Sequence, residues 1–353
     1  MKRMRVPGVE IARAAAYVRL VEDAFGHRIS YLRISVTDRC NERCLYCMPG
    51  ELQEWLPHEG VLSYEEIERV VRVAASLGVR RLRVTGGEPL TRREIPRLFE
   101  KLSAIPGIEQ IGVSTNGTLL AQKLPDGGTM ATALWERGVR ALNVSLDTLD
   151  RADYAAVTGR DFLPRVLAGL DAAQKAGFES IRLNAVLVCG RSEATLLPLL
   201  DFAHERGLLL RFIELMPVST RDVLDDENFF PVRAAMHEIE AAHGGLMPEP
   251  GFRTNGPANY FRLASRDQRV GFIGAMTDFH FCESCNKLRL TCDGKLRPCL
   301  GSHLEFDLRE PLRAGATDAE LREMFLGVVA RKPKEHDFRG AYAPGRRMVA
   351  IGG

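Results

Sequence analysis

The feature that most constrains this chain is an alternation. Short apolar, β-rich runs recur at 29–36, 80–86, 108–115, 139–146, 180–188 and 208–215, and helical patterns lie between them. The clearest helix follows "SYEEIERVVRVAASLG", with Ser63 as N-cap, Glu66 completing a capping box and Gly78 at the stop. Other helical patterns fall near 92–104, 129–138, 163–176 and 192–206, and Gly138, Gly177 and Gly207 each follow one. Six strands alternating with helices predict an α/β fold of parallel βα units. Right-handed crossovers curl such units into a barrel or a doubly wound sheet, and the spacing does not separate the two. Six units fall short of a closed eight, so a barrel would be open on one side. Residues 119–129, with Pro-Asp-Gly-Gly, read as a surface loop.

Three segments follow. Residues 1–28 form a charged arm with a helical pattern, 29–245 carry the βα rhythm, and 246–353 form a second unit. That unit opens on a stretch rich in Gly, Pro and Asn, continues through short strand-like runs and a cysteine block, and ends in a basic tail with two glycines.

A net charge of +2 excludes strong global attraction to nucleic acid or anionic membranes, while allowing a local basic pocket. No run reaches the roughly 18 apolar residues of a membrane span, and the basic N-terminus lacks a signal-peptide core. A cytoplasmic location is expected. Thiols stay reduced there, so the eight cysteines point to metal binding over disulfides.

"DRCNERCLYC" places Cys40, Cys44 and Cys47 directly after the first strand, at the sheet edge where α/β folds put their chemistry. One reading is a zinc site completed by a distant ligand. The favoured one is a [4Fe–4S] cube on three thiolates, which leaves one iron open. This C-x3-C-x2-C segment, with Tyr46 between its last two cysteines, resembles the signature of the radical S-adenosylmethionine (SAM) enzymes. "TGGEP" at 85–89 resembles the motif with which that superfamily meets the methionine amino group of SAM. Its adjacent glycines would let backbone approach a ligand closely. Glu88 can also be read as a solvated loop acid.

The later block "FCESCNKLRLTCDGKLRPCL" reads alone as a four-cysteine zinc site. Asp293-Gly294 is a two-residue hairpin signal. A turn of that kind puts Cys292 opposite Lys295 and Cys299 opposite Leu288, so Cys292 lies about 13 Å from that pair. Sulfurs on one zinc lie about 4 Å apart. On that register Cys282, Cys285 and Cys299 form a second set of three. Cys189, on the fifth strand, reads as a buried thiol.

Two such triads, with "RISVTDRCNERCLYCMP", "RVTGGEPL", "STNG", "NVSLDTLD", "RFIELMPV" and the terminal Gly352-Gly353, resemble the GTP 3′,8-cyclases of molybdenum cofactor biosynthesis. The resemblance runs from about Ser30 to Gly353. It implies an incomplete (βα)6 TIM-like barrel with a C-terminal iron–sulfur cluster domain, usually in a homodimer. It implies two [4Fe–4S] clusters on Cys40, Cys44, Cys47 and on Cys282, Cys285, Cys299, with SAM on the open iron of the first and the purine on that of the second. A 5′-deoxyadenosyl radical would take hydrogen from ribose C3′ of GTP, and the carbon radical would attack C8. Carried over by position, Arg33, Arg83, Ser114, Arg182, Lys287, Leu288 and Arg289 would contact GTP, and Tyr46, Gly87, Ser145 and Met216 would contact SAM. Arg33, Gly352 and Gly353 would serve catalysis. An electron donor and the downstream cyclic pyranopterin monophosphate synthase would be partners, and no nucleic acid or membrane would be.

The arginines could instead be exposed or ion-paired, and Ser114 and Ser145 could cap the segments that follow them. Arg182 stands where Lys is often found, with one residue inserted nearby, Lys287 stands where Arg is common, and Cys292 stands where cysteine is unusual. Two other readings stay open: a radical-SAM peptide maturase with an auxiliary cluster, and a zinc-ribbon nucleic-acid-binding protein.

Anaerobic iron and sulfide analysis tests the count. About eight irons per chain are expected from two cubes, and replacing Cys292 should leave that number unchanged.

Overall fold

The computed structural model describes residues 21–48, 54–218, 227–278, 280–340, 342 and 345–352. Gly353 and positions 1–20 of the expected arm lie outside the described residues. Residues 21–28 are not helical. Glu22 bridges to Arg28, and the Asp23 carboxylate accepts the Phe25 and His27 amides, which closes a tight turn.

The βα rhythm is realised as β1 (Tyr31–Ser35), α1 (Tyr64–Ser76), β2 (Arg81–Thr85), α2 (Ile95–Ser103), β3 (Gln110–Thr115), α3 (Met130–Glu136) and β4 (Val139–Ser145). It continues through α4 (Arg151–Thr158), α5 (Leu163–Lys175), β5 (Ser180–Leu187), α6 (Ser192–Glu205), β6 (Leu209–Glu214) and α7 (Val232–His243). The C-terminal part adds β7 (Leu246–Pro248), β8 (Asn259–Leu263), β9 (Arg269–Ile273), β10 (Lys287–Leu290), β11 (Lys295–Arg297) and β12 (Phe306–Asp307). Three helices follow: α8 (Arg309–Arg313), α9 (Asp318–Ala330) and α10 (Met348–Ile351). No described helix is long and apolar enough to cross a membrane.

Local chemistry sets the helix starts. Ser63 Oγ accepts the Glu66 amide while the Glu66 carboxylate accepts the Ser63 amide, the capping box read from the sequence. Thr317 and Glu320 repeat that box at α9, and Asp150 caps α4. The α4 and α9 signals stand in the sequence, yet both helices are absent from the sequence-based expectation, as is α7, which has no side-chain cap.

The described strands form one sheet in the order β12-β11-β10-β1-β2-β3-β4-β5-β6-β9-β8-β7. β1 to β6 run parallel in chain order. The C-terminal segment extends both edges, with β10 parallel to β1 and β9 parallel to β6. The edges of the sheet are β12 and β7, so it does not close into a barrel. Alternation divides each strand. Leu32 and Ile34 of β1 and Leu82 and Val84 of β2 are buried in the core with Ile67, Val70 and Val71 of α1. Tyr31, Arg33 and Arg83 face the other way, into a cavity.

Two expectations need correction. Cys189 is exposed, beyond the end of β5, where the chain turns at Gly190 (φ 77°). The β10–β11 hairpin pairs Arg289 with Arg297 and Leu290 with Leu296, one residue off the expected register. A two-residue type I′ turn needs positive φ at both central positions. Among the described residues only Gly294 (φ 82°) of the pair has it, so the loop takes a third residue, Cys292, and Thr291 N–H donates to the Lys295 carbonyl. Cys292 is fully buried at this turn and does not line the cavity.

Glu214, at the end of β6, is fully buried. It accepts the amides of Val232, Met276 and Thr277 and the Thr277 hydroxyl, tying β6 to the start of α7 and to the loop after β9. Glu214→Ala strands these donors and should lower the unfolding free energy by about 3 kcal/mol in urea denaturation.

Candidate active site

One cavity of about 350 Å³ is lined by side chains from β1 to β6 and β10, so the open sheet curls round it. Both cysteine triads line it: Cys40, Cys44 and Cys47 from the loop after β1, and Cys282, Cys285 and Cys299 from the segments flanking β10 and β11. Sulfurs of a single bound zinc would converge to about 4 Å. Among the described residues no three or more His, Cys, Asp or Glu side chains gather in a group that could hold one metal ion. Each set offers three thiols to the cavity, the donor number of a sulfide-bridged cluster that leaves one iron open.

The first triad sits on a loop pinned by "TGGEP". Gly87 N–H donates to the Thr37 carbonyl (2.8 Å) and Glu88 N–H to the Arg39 carbonyl (2.9 Å). A Cβ on Gly86 would lie 2.6 Å from Thr37 O, and one on Gly87 would lie 2.4 Å from Arg39 O. The close approach read from these glycines is therefore made by the cysteine loop itself. Glu88 is not a solvated acid. It is buried and accepts from Leu90 N (3.0 Å), Thr115 Oγ1 (2.8 Å) and Asn116 N (2.7 Å), and burial pushes its carboxyl up to about 7.

Two more carboxyls, the buried Glu42 and the half-buried Asp147, stand beside the loop. Glu42 accepts the Tyr154 hydroxyl, and burial pushes it up to about 7. Asp147 accepts Tyr46 Oη (2.6 Å) and Val186 N (2.8 Å), and burial pushes it up to about 6. Burial, with Glu88 next, raises the Cys40 thiol; burial and Glu42 raise Cys44; burial takes Cys47 to about 12. Metal ligation must displace these thiol protons. Tyr46, Gly87, Ser145 and Met216 line the cavity together with this triad.

At the second triad burial pushes Cys282 up to about 11 and raises Cys299. Burial pushes Cys285 up as well, yet the Lys332 and Lys287 ammoniums outweigh it and leave that thiol below its ordinary value. Lys332, absent from the sequence-based site, donates to Cys285 Sγ (3.4 Å).

The cavity wall is cationic. Arg289, Arg33 and Arg83 are lateral neighbours across β10, β1 and β2. Arg83 donates to Tyr31 Oη (3.0 Å) and the Val113 carbonyl (3.0 Å). A Cβ on Gly112 would come within 2.7 Å of its guanidinium, so glycine in β3 makes the room. Burial pushes the Tyr31 hydroxyl up, but Arg83, Arg33 and Lys287 bring it to about 8. Burial, then Arg33, lowers Arg289 to about 9. Among the described residues the buried Arg182 Nε and Asn143 Oδ1, lateral neighbours on β5 and β4, have no hydrogen-bond partner.

Ser114 and Lys287 also line the cavity. Leu288 does not, since it lies between Lys287 and Arg289 on the opposite face and packs in the core. Arg211 was missed. It is buried, donates twice to Asn184 Oδ1 (3.0 and 2.7 Å), and is lowered by burial to about 10. Its place on the inward parity of β6, inside "RFIELMPV", was the available signal.

The tail returns to this site. The Gly352 carbonyl accepts from Arg289 Nη1 (2.7 Å). Gly352 has φ 87°, and a Cβ there would lie 2.7 Å from Thr85 Cγ2 and 3.0 Å from Ser35 Cβ. Gly353 lies outside the described residues.

Gly87→Ala forces the cysteine loop away from β2. If each triad holds one cube, iron content after anaerobic reconstitution should fall by about half.

The chain matches two family models, the Radical SAM superfamily over residues 34–203 and Molybdenum Cofactor Synthesis C over residues 208–338. A GTP 3′,8-cyclase of Moorella thermoacetica is 43% identical over 333 residues, covering 94% of this chain and all of the relative. One from Pelotomaculum thermopropionicum is 42% identical over the same shares. Among solved structures, Streptococcus suis SuiB has a TM-score of 0.58 at 16% identity, over 80% of this chain and 64% of SuiB, a likeness of fold alone. The chain belongs to the GTP 3′,8-cyclase family of radical SAM proteins.

Proposed function

We propose that this protein converts GTP to 3′,8-cyclo-7,8-dihydro-GTP, the opening step of molybdenum cofactor biosynthesis. One observation carries the reading: two three-cysteine sets face a single cavity whose wall is lined by arginines. A triphosphate is the polyanion that such a wall takes up, because guanidinium forks match phosphate oxygens.

Cys40, Cys44 and Cys47 would hold one [4Fe–4S] cluster and Cys282, Cys285 and Cys299 a second. Reduced by an external donor, the first cluster would supply the electron for cleavage of SAM, and ribose C3′ of GTP would be the position from which hydrogen is taken. The chain's own residues bind and orient. Tyr46, braced by Asp147, with Gly87, Ser145 and Met216, lines the SAM end. Arg83, Arg182 and Arg211 offer phosphate contacts, and the unpartnered Arg182 Nε is a ready donor. Arg33, Ser114, Lys287 and Arg289 line the rest, with the Leu288 backbone between the last two. Arg289 also holds Gly352 against β1 and β2, and Met348 and Val349 of the same tail line the cavity. The product would pass to cyclic pyranopterin monophosphate synthase, and a homodimer is the expected assembly.

Reconstituted protein with dithionite and SAM should release 5′-deoxyadenosine only when GTP is present, and Cys47→Ser should abolish it. Release independent of GTP overturns the reading.

Arg182→Leu should raise KM for GTP about tenfold, the loss of one charge-assisted bond, with iron unchanged. Gly352→Ala should lower kcat with both clusters retained.

A further inference from the structure

The chain leaves α9 at Arg331 and turns Lys332 inward, where it is only 4% exposed. Its Nζ donates to the Pro298 carbonyl (2.6 Å), the Lys287 carbonyl (3.2 Å) and Cys285 Sγ (3.4 Å). An ammonium has three donors, and these partners use all three. Two of them are neutral carbonyls, and none is a carboxylate. A buried ammonium without an anion is costly. The anion it can have here is the sulfur of Cys285, once that sulfur is a metal-bound thiolate.

The placement is specific. Lys332 reaches across from the helical layer to both walls of the second triad, the Cys285–Lys287 side and the Pro298–Cys299 side. Nearby charge and hydrogen bonds to ligating sulfur are what set the potential of an iron–sulfur cluster. Reduction adds one negative charge to a cluster, and a fixed cation at a ligand sulfur stabilises the reduced form more than the oxidised one.

We propose that Lys332 is a positioning residue for the second triad, the fixed counter-cation of Cys285 that raises the reduction potential of the cluster bound there. This rests on the reading of Cys282, Cys285 and Cys299 as a cluster site.

The test uses the full chain with Cys40, Cys44 and Cys47 changed to Ala, so that one cluster remains, and compares Lys332→Met and Lys332→Arg with the parent. Iron content and an EPR-monitored redox titration are the readouts. Lys332→Met should move the midpoint negative, with the reduced-to-oxidised ratio at fixed potential falling about tenfold, or 59 mV for a one-electron couple. Lys332→Arg should stay within about twofold of the parent ratio. Loss of iron in Lys332→Met but not in Lys332→Arg also supports the proposal, because charge is what differs. An iron-loaded Lys332→Met with an unshifted midpoint overturns it, as does loss of iron in both variants, which would make Lys332 a packing residue. A parent with no iron overturns the cluster reading and this inference with it.

Discussion

The cavity gathers more positive charge than its own wall neutralises, and much of the fold exists to hold that charge in place. Arg33, Arg83, Arg182, Arg211, Lys287 and Arg289 line it against two carboxylates, Glu42 and Glu214. Glu214 is occupied by three amides and a hydroxyl, and Glu42 by Tyr154. Like charges at this density repel, and their burial is tolerable only with neutral acceptors in reach. The sheet supplies these as the Val113 carbonyl, Tyr31 Oη and Asn184 Oδ1. It also supplies gaps where glycines replace side chains, Gly112 beneath Arg83 and Gly271 beside Arg211. A polyanion entering this space relieves a repulsion already present.

The two cysteine sets are supported differently. The first depends on backbone. Gly86 and Gly87 lie so close to Thr37 and Arg39 that no side chain fits between the cysteine loop and the turn after β2, with buried acids behind it. The second depends on a reach across the fold, because Lys332 follows a helix that is distant in sequence from Cys285. The C-terminal segment therefore does more than carry three more cysteines. It widens the parallel sheet at both edges, so that β10 brings Lys287 and Arg289 beside Arg33.

Much of this was legible beforehand. Period-two apolar runs alternating with capped helices reported the parallel units, since burial on one face dictates that pattern. The cysteine spacings and "TGGEP" marked the site, because local geometry between near neighbours is written in near neighbours. The hairpin register was misread for a definite reason. Asp293 does not take positive φ, so the expected two-residue turn gained Cys292 and shifted by one. Cys189 was misplaced because β5 ends before it.

What the sequence determined alone was chemistry with short range: which residues could ligate metal, where helices start, and which strands run parallel. Tertiary structure decided what stands across the cavity from what. Lys332 carries no local mark of function, Arg211 has only its inward parity on β6, and Glu88 can be read as an ordinary loop acid. They acquire their roles from burial and from partners far along the chain, and both depend on how the sheet curls.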